Sequence, residues 1–320
     1  MILSAQAIAR INLRLKVLLP QYKKAIQDQN LIFAQNLIVD INPLLKQLNK
    51  TTQLVELKNA LFELAMIQGQ PKYAIEGLLI NQKFVNKKTR LHLEGSALLA
   101  IAYLRLNDLI SAKPFIIEVL KNKNIIKSET TRRKFNKEII ERFDEEAALY
   151  SLRNGIPLTY NLDEIHSLVL RAIETKTNNE LYIEMGLSLP KATKDILFQV
   201  DEFSKKQLTF DERKLLPSPV DLISNDEAGR TVFSAFKRVV YKSVCDPNSE
   251  VYKGWYTNGV GSILDKKFIT GAVVAKLSGY GIGSIALIIA AVALLIRFGL
   301  DIYCERFKPV GVTELRRKGD

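Results

Sequence analysis

Cysteine and histidine are almost missing from this chain, and each shortage closes off a class of chemistry. Two cysteines, Cys245 and Cys304, are too few for a disulfide framework and read as thiols in a reducing compartment, Cys304 as an inert one. Two histidines, His92 and His166, stand far apart in sequence on helical patterns. HExxH, CxxC, GxxxxGK[ST] and GxSxG are absent, as is a GxGxxG opening a helix after a strand. The compact carboxylate cluster Asp144-Glu145-Glu146 occupies consecutive helical positions, which point in different directions, and reads as surface. No enzyme, cofactor or metal site is therefore expected. Also lacking is any alternating apolar–polar run long enough for a strand. Near the N-terminus Arg10, Arg14 and Lys16 interrupt every apolar stretch, so no signal peptide is read there.

What is present begins with charge. Lys and Arg number 46 against 34 Asp and Glu, a net charge of +12, which favours anionic surfaces such as lipid headgroups or nucleic acid. Hydrophobic residues make up 47% of the chain, enough for a real core. The basic residues are densest at Arg132, Arg133, Lys134 and Lys137, which are candidate phosphate contacts. Only Phe135 lies among them, without the interleaved aromatics of single-strand binders, so nucleic acid is the less favoured partner and a solvated helix face the plainer reading.

One stretch departs from the rest. Leu277 to Ile296, LSGYGIGSIALIIAAVALLI, is a run of twenty residues without a charge, closed by Arg297. As one helix it would be about 30 Å long, the thickness of a bilayer's hydrocarbon core. A buried core helix also reads as apolar all round, but seldom runs so far without a charge. The expectation is a single C-terminal transmembrane helix, with the soluble body cytoplasmic. Gly279, Gly283, Ala286, Ala290 and Ala293 would share one stripe of that helix, a small-residue face suited to self-association into a homo-oligomer. Lys276 and Arg297 close its ends, and Asp301 stands one turn beyond Arg297 at pairing distance.

The region before it is helical in period, with apolar residues at i, i+3, i+4 and i+7 and short polar breaks. Leu99 to Leu120 reads as two helices around a turn at Asn107-Asp108. Leu99, Ala100 and Tyr103 lie on the first helix, and Ala112, Ile116 and Val119 on the second. A second copy places Leu61, Ala65, Gly69, Ala74 and Leu78 in matching positions, and a fainter third places Ala25, Gln29 and Ala34. Over about residues 20–120 this spacing resembles the tetratricopeptide repeat. It departs from that pattern in residue type at Ala100, Asn107, Ile116 and Val119, lacks the closing proline, and exceeds the usual ~34-residue period. An ordinary helical bundle shares these features. The resemblance implies a stacked helical array with a groove for a protein partner.

The expected fold class is therefore all-α, a TPR-like helical-repeat array followed by a C-terminal transmembrane helix. Composition divides the chain into a helical-repeat domain at 1–204, a linker at 205–225, an amphipathic juxtamembrane region at 226–262, a membrane segment at 263–303 and a basic tail at 304–320. In the third region Ser224 to Glu227 has capping-box spacing. The helix it starts carries Val232, Phe233, Phe236, Val239 and Val240 on one face, to lie either on lipid or on the array. This architecture is similar to prokaryotic toxin and anti-phage membrane effectors. That resemblance implies a regulated membrane-perturbing function, in which the array binds a partner and the membrane stripe associates. A passive tail-anchored scaffold and a membrane-tethered RNA-binding module are the alternatives.

Overall fold

A computed structural model describes residues 4–153, 160–213, 224–257 and 263–315. Among these the regular structure is entirely helical, so the all-α expectation holds. The chain divides into two compact units. One comprises residues 1–139 with 311–320, and the other residues 140–310. The division falls within a helix rather than at 205–225, of which 214–223 lies outside the described residues.

The first unit is a succession of helices in which each packs on the next: α1 (Ala5–Gln27), α2 (Leu31–Gln47), α3 (Thr51–Ile67), α4 (Pro71–Gln82), α5 (Arg90–Arg105) and α6 (Leu109–Lys121). The start of α7 (Glu129–Ser151) follows in the chain. The reversals share one device. Gln29, Asn49, Gly69 and Asn107 each adopt positive φ, between 54° and 77°. The next N–H in each case bonds back to the fifth preceding carbonyl: Asn30 to Ala25 (2.9 Å), Lys50 to Leu45 (2.9 Å), Gln70 to Ala65 (2.8 Å) and Asp108 to Tyr103 (3.0 Å). This left-handed cap satisfies carbonyls that a helix end leaves open. Helices α2 and α6 then start on side-chain caps from Asn30 and Asp108, and α4 on Pro71 at its first turn.

Gln29, Gly69 and Asn107 mark the pairs α1–α2, α3–α4 and α5–α6, at intervals of 40 and then 38 residues. The small residue that follows each, Ala34, Ala74 or Ala112, is fully buried, which is what close helix approach requires. The expected repeat is thus present as three helical pairs. The α4–α5 connection is longer, ending where Thr89 caps α5. A polar seam, buried at Asn59, Asn81, Glu94, His92 and Ser96, keys α3 to α6. Asn81 donates to Asn59 (3.1 Å), Asn59 donates to Glu94 (3.2 Å), and Glu118 accepts from Ser96 (3.0 Å) and faces His92 (3.1 Å).

The second unit holds the rest of α7 with α8 (Leu162–Thr175), α9 (Asn178–Leu187), α10 (Lys191–Lys205), α11 (Phe210–Arg213), α12 (Asn225–Cys245), α13 (Glu250–Thr257), α14 (Ile263–Gly279), α15 (Ile285–Phe298) and α16 (Leu300–Arg306). Helix α12 runs along α9 and also meets α13, α14 and α16. Two glycines make the α9–α12 contact backbone-close. A Cβ on Gly186 would sit 1.8 Å from the Asn225 carbonyl oxygen, and one on Gly229 would sit 1.9 Å from that of Tyr182. The amphipathic face of α12 is therefore spent inside the protein: Val232, Phe233, Phe236 and Val240 are all buried. Residues 226–257 belong to the same compact unit as 263–310.

Candidate functional site in the C-terminal apolar segment

The uncharged run Leu277–Ile296 does not form one helix. Helix α14 ends at Gly279, Gly281 turns the chain with φ 93°, and the Ile282 N–H closes the turn on the Leu277 carbonyl at 3.0 Å. Ser284 then caps α15 through Leu287 N–H. Helix α15 has 14 residues, so it spans about 21 Å, short of a hydrocarbon core. Among the described residues no single helix is long and apolar enough to cross a membrane. Only together do α15 and α16, bent by 101° at Gly299, reach the length and composition of a span.

The single transmembrane helix is thus corrected to two helices around a glycine turn. The reason is local: a GYGIG sequence supplies a left-handed position, and the N–H groups of Tyr280, Gly281 and Ile282 close on the last carbonyls of α14. The stripe is divided accordingly. Gly279 ends α14, Gly283 lies in the turn, Ala286 is exposed on the first turn of α15, and Ala290 and Ala293 are fully buried.

Helices α8, α9 and α14 cover α15, burying Leu287, Ile288, Val292, Leu294 and Leu295. At its far end Arg297 donates to Asn178 Oδ1 (3.0 Å) and to the Ile173 carbonyl (2.7 Å) in the last turn of α8, where the helix dipole favours a cation. Gly299, with φ 76°, ends α15 between Arg297 and Asp301, so these two are not neighbours on one continuous helix. Lys276 and Asp301 are both exposed. On α14, Lys267 pairs with Asp163, and Thr270 Oγ1 lies 3.1 Å from His166 Nδ1. Burial, then the nearby Lys267 charge, hold the His166 pKa below its usual value.

Helix α16 is fastened more firmly. The Phe233 ring lies 5.2 to 6.2 Å from Tyr182, Phe298, Tyr303 and Phe307. Tyr241 donates to the Cys304 carbonyl at 3.1 Å, and Cys304 is disulfide-bonded to Cys245 at the end of α12. The two cysteines expected as thiols form a bond because α12 and α16 bring their Cα atoms to 5.5 Å across 59 residues of sequence. Such bonds are rare in reducing compartments, so the cysteine argument for a cytoplasmic body falls away.

A charged frame surrounds this packing. Glu145 on α7 receives Arg238 Nε (2.5 Å) and Ser234 Oγ (3.0 Å) and pairs with Lys237 (2.5 Å), all from α12. Arg142 and Glu146 form a buried pair at 2.5 Å, and Lys205 and Asp201 another on α10. Asp144 keeps some surface, yet its Oδ1 is sealed from solvent without a hydrogen-bond partner. Burial pushes its carboxyl up to about 8, with Asp201, Glu145 and Glu141 adding to the rise and Lys205 opposing it. Burial also raises Glu145 and Asp201, against the pull of Lys237 and Lys205 respectively. The reading of Asp144-Glu145-Glu146 as surface is therefore corrected, because α7 is enclosed on more than one face. The i,i+4 spacing of Arg142–Glu146 and Asp201–Lys205 was a usable signal for these pairs.

The basic cluster belongs to the other unit. Arg132 donates to the Ile126 carbonyl (3.3 Å), Arg133 pairs with Glu129 (2.6 Å), and Lys134 and Lys137 are exposed. Phe135, the aromatic among them, is buried in the core and unavailable to stack on a base. Among the described residues no group of His, Cys, Asp and Glu has the arrangement of a metal site. No protein-family model, no curated protein and no solved structure matches this chain.

Proposed function

We propose that this protein is a helical-repeat membrane effector of toxin or defence type, whose apolar segment is stored in folded form and enters a bilayer when its unit opens. The observation that carries this reading is the twenty-residue uncharged run, interrupted only by a glycine turn. In hydrocarbon the open backbone of that turn has no water to satisfy it, so the run is driven to close into one helix of bilayer length. Only in that form do Gly279, Gly283, Ala286, Ala290 and Ala293 share a face on which helices could associate. The repeat unit supplies the partner-binding element. Vesicle flotation and dye release test the proposal, using the full chain with Cys245–Cys304 intact and reduced. Flotation with release after reduction is expected, and a chain left in the aqueous fraction in both states removes the reading. Gly279→Leu, at a position where a Cβ meets nothing within 4 Å, should leave the folded form intact and weaken association in vesicles.

A second reading is a partner-binding scaffold in which α15 is a core helix. The burial of Leu287, Ile288 and Ala290–Leu295 at 3% exposure or less favours it. It predicts no vesicle binding under any redox state.

A further inference from the structure

The last described residues of the chain are part of the first unit, and they are held by side chains of the helical pairs. Glu63 on α3, only 5% exposed, accepts from the Val312 N–H (2.6 Å), the Thr313 N–H (3.0 Å) and Thr313 Oγ1 (2.6 Å). Arg90, the first residue of α5, donates to the Leu315 carbonyl at 2.6 Å. Val312 is buried, and a Cβ on Gly311 would lie 3.1 Å from both Glu63 oxygens, so a residue without a side chain fits there best.

The chemistry of this seat is generic where it binds and selective at two points. Backbone N–H and C=O groups, which any chain carries, make three of the four contacts. Glycine at one end and a hydroxyl two residues later supply the selectivity. A segment outside the helices stays ordered only where it is tied down, and here hydrogen bonds to Glu63 and from Arg90 hold it beside the buried Val312. A tethered ligand has an effective concentration in the millimolar range, so a free peptide competes only if it binds better or if the tether is withdrawn.

We infer that the Glu63–Arg90 seat is an exchangeable peptide site, filled here by the chain's own Gly311–Leu315. The partner it fits is a protein segment of the same form: glycine, then an apolar residue, then threonine or serine, with free backbone N–H groups at the second and third positions. This names the partner class for the repeat unit proposed above. Binding is measured without lipid, so it fails separately from the membrane reading.

The test uses the full chain and a fluorescein-labelled peptide of residues 309–315. Val312→Pro with Thr313→Pro removes all three donors to Glu63 and empties the seat. The peptide should bind this variant at least tenfold more tightly than wild type. Adding Glu63→Leu should abolish the gain, as should placing proline at the Val312 position of the peptide itself. Equal binding to wild type and the emptied variant overturns the inference, as does binding indifferent to Glu63. If Glu63→Leu fails to fold, amide exchange on the wild-type chain still decides. Val312 and Thr313 amides should be protected and should lose protection as excess peptide is added, and unprotected amides, or protection that peptide leaves unchanged, overturn it.

Discussion

Helix α5 packs on α4 and α6, its neighbours in sequence, whereas α15 packs on α8 and α9, more than a hundred residues earlier. The contrast runs through both units. Residues 5–121 form a chain of local pairs, reversed by the same left-handed turn and stabilised between adjacent helices, as repeat arrays are. In the second unit α12 lies on α9 through two glycines, charged groups of α12 meet α7 about ninety residues away, and a disulfide joins α12 to α16. Local pairing leaves a period in the sequence, whereas distant pairing leaves residues whose purpose shows only when their partners arrive. The second unit should therefore be the more fragile to single changes.

The largest effect expected is from Cys304→Ser. Losing a cross-link over 59 residues should lower the stability of the second unit by about 4 kcal/mol while leaving the first unchanged. Separate unfolding transitions in calorimetry, followed with and without reductant, would check this. Gly229→Ala comes next. Its Cβ would meet a backbone oxygen that cannot step aside, and about 3 kcal/mol should be lost. Gly279→Ala in the same unit, with open space around it, serves as the control.

The third prediction concerns pH. The Asp144 carboxyl titrates near 8 when folded and in the ordinary carboxylate range when unfolded, so folding takes up a proton between those values. Stability of the second unit should accordingly fall as pH rises, by about 1 kcal/mol per unit and by roughly 2–3 kcal/mol between pH 5 and 7. Asp144→Asn should flatten most of that slope in urea melts, with Glu145 and Asp201 contributing the remainder in the same direction.

The smallest effect lies in the repeat unit. Gln29→Gly relieves a left-handed non-glycine residue and should raise that unit's melting stability by roughly 1 kcal/mol. A destabilisation there would mean that the turn geometry is not what limits the pair.

The legibility of the chain follows the same division. The positions of Ala25, Ala65 and Tyr103 on first helices, and of Ala34, Ala74 and Ala112 on second ones, were readable because a repeated packing demand recurs after 40 and then 38 residues. The α2–α3 turn at Asn49 uses the same device and was missed, because Leu54 stands where the three recognised pairs carry Ala34, Ala74 and Ala112. In the C-terminal segment hydropathy alone was readable. Gly279 and Gly283 looked like packing residues of one helix, although Gly281 between them reverses the chain. Glu63 and Arg90 gave no sign of their role, being single charges on ordinary helices whose ligand comes from the far end of the sequence.

By itself the amino-acid sequence determined the all-helical class, the paired helices of the first unit and the existence of a twenty-residue uncharged run. Each of these is set by interactions within a few turns of chain: periodic burial, capping and the absence of charge. Only the tertiary structure decided that this run bends and packs beneath α8 and α9, that Cys245 meets Cys304, that Asp144-Glu145-Glu146 turns inward, and that Gly311–Leu315 returns to α3. Those outcomes depend on which distant surfaces meet, and a helix that is apolar on every side carries no mark of whether protein or lipid will cover it.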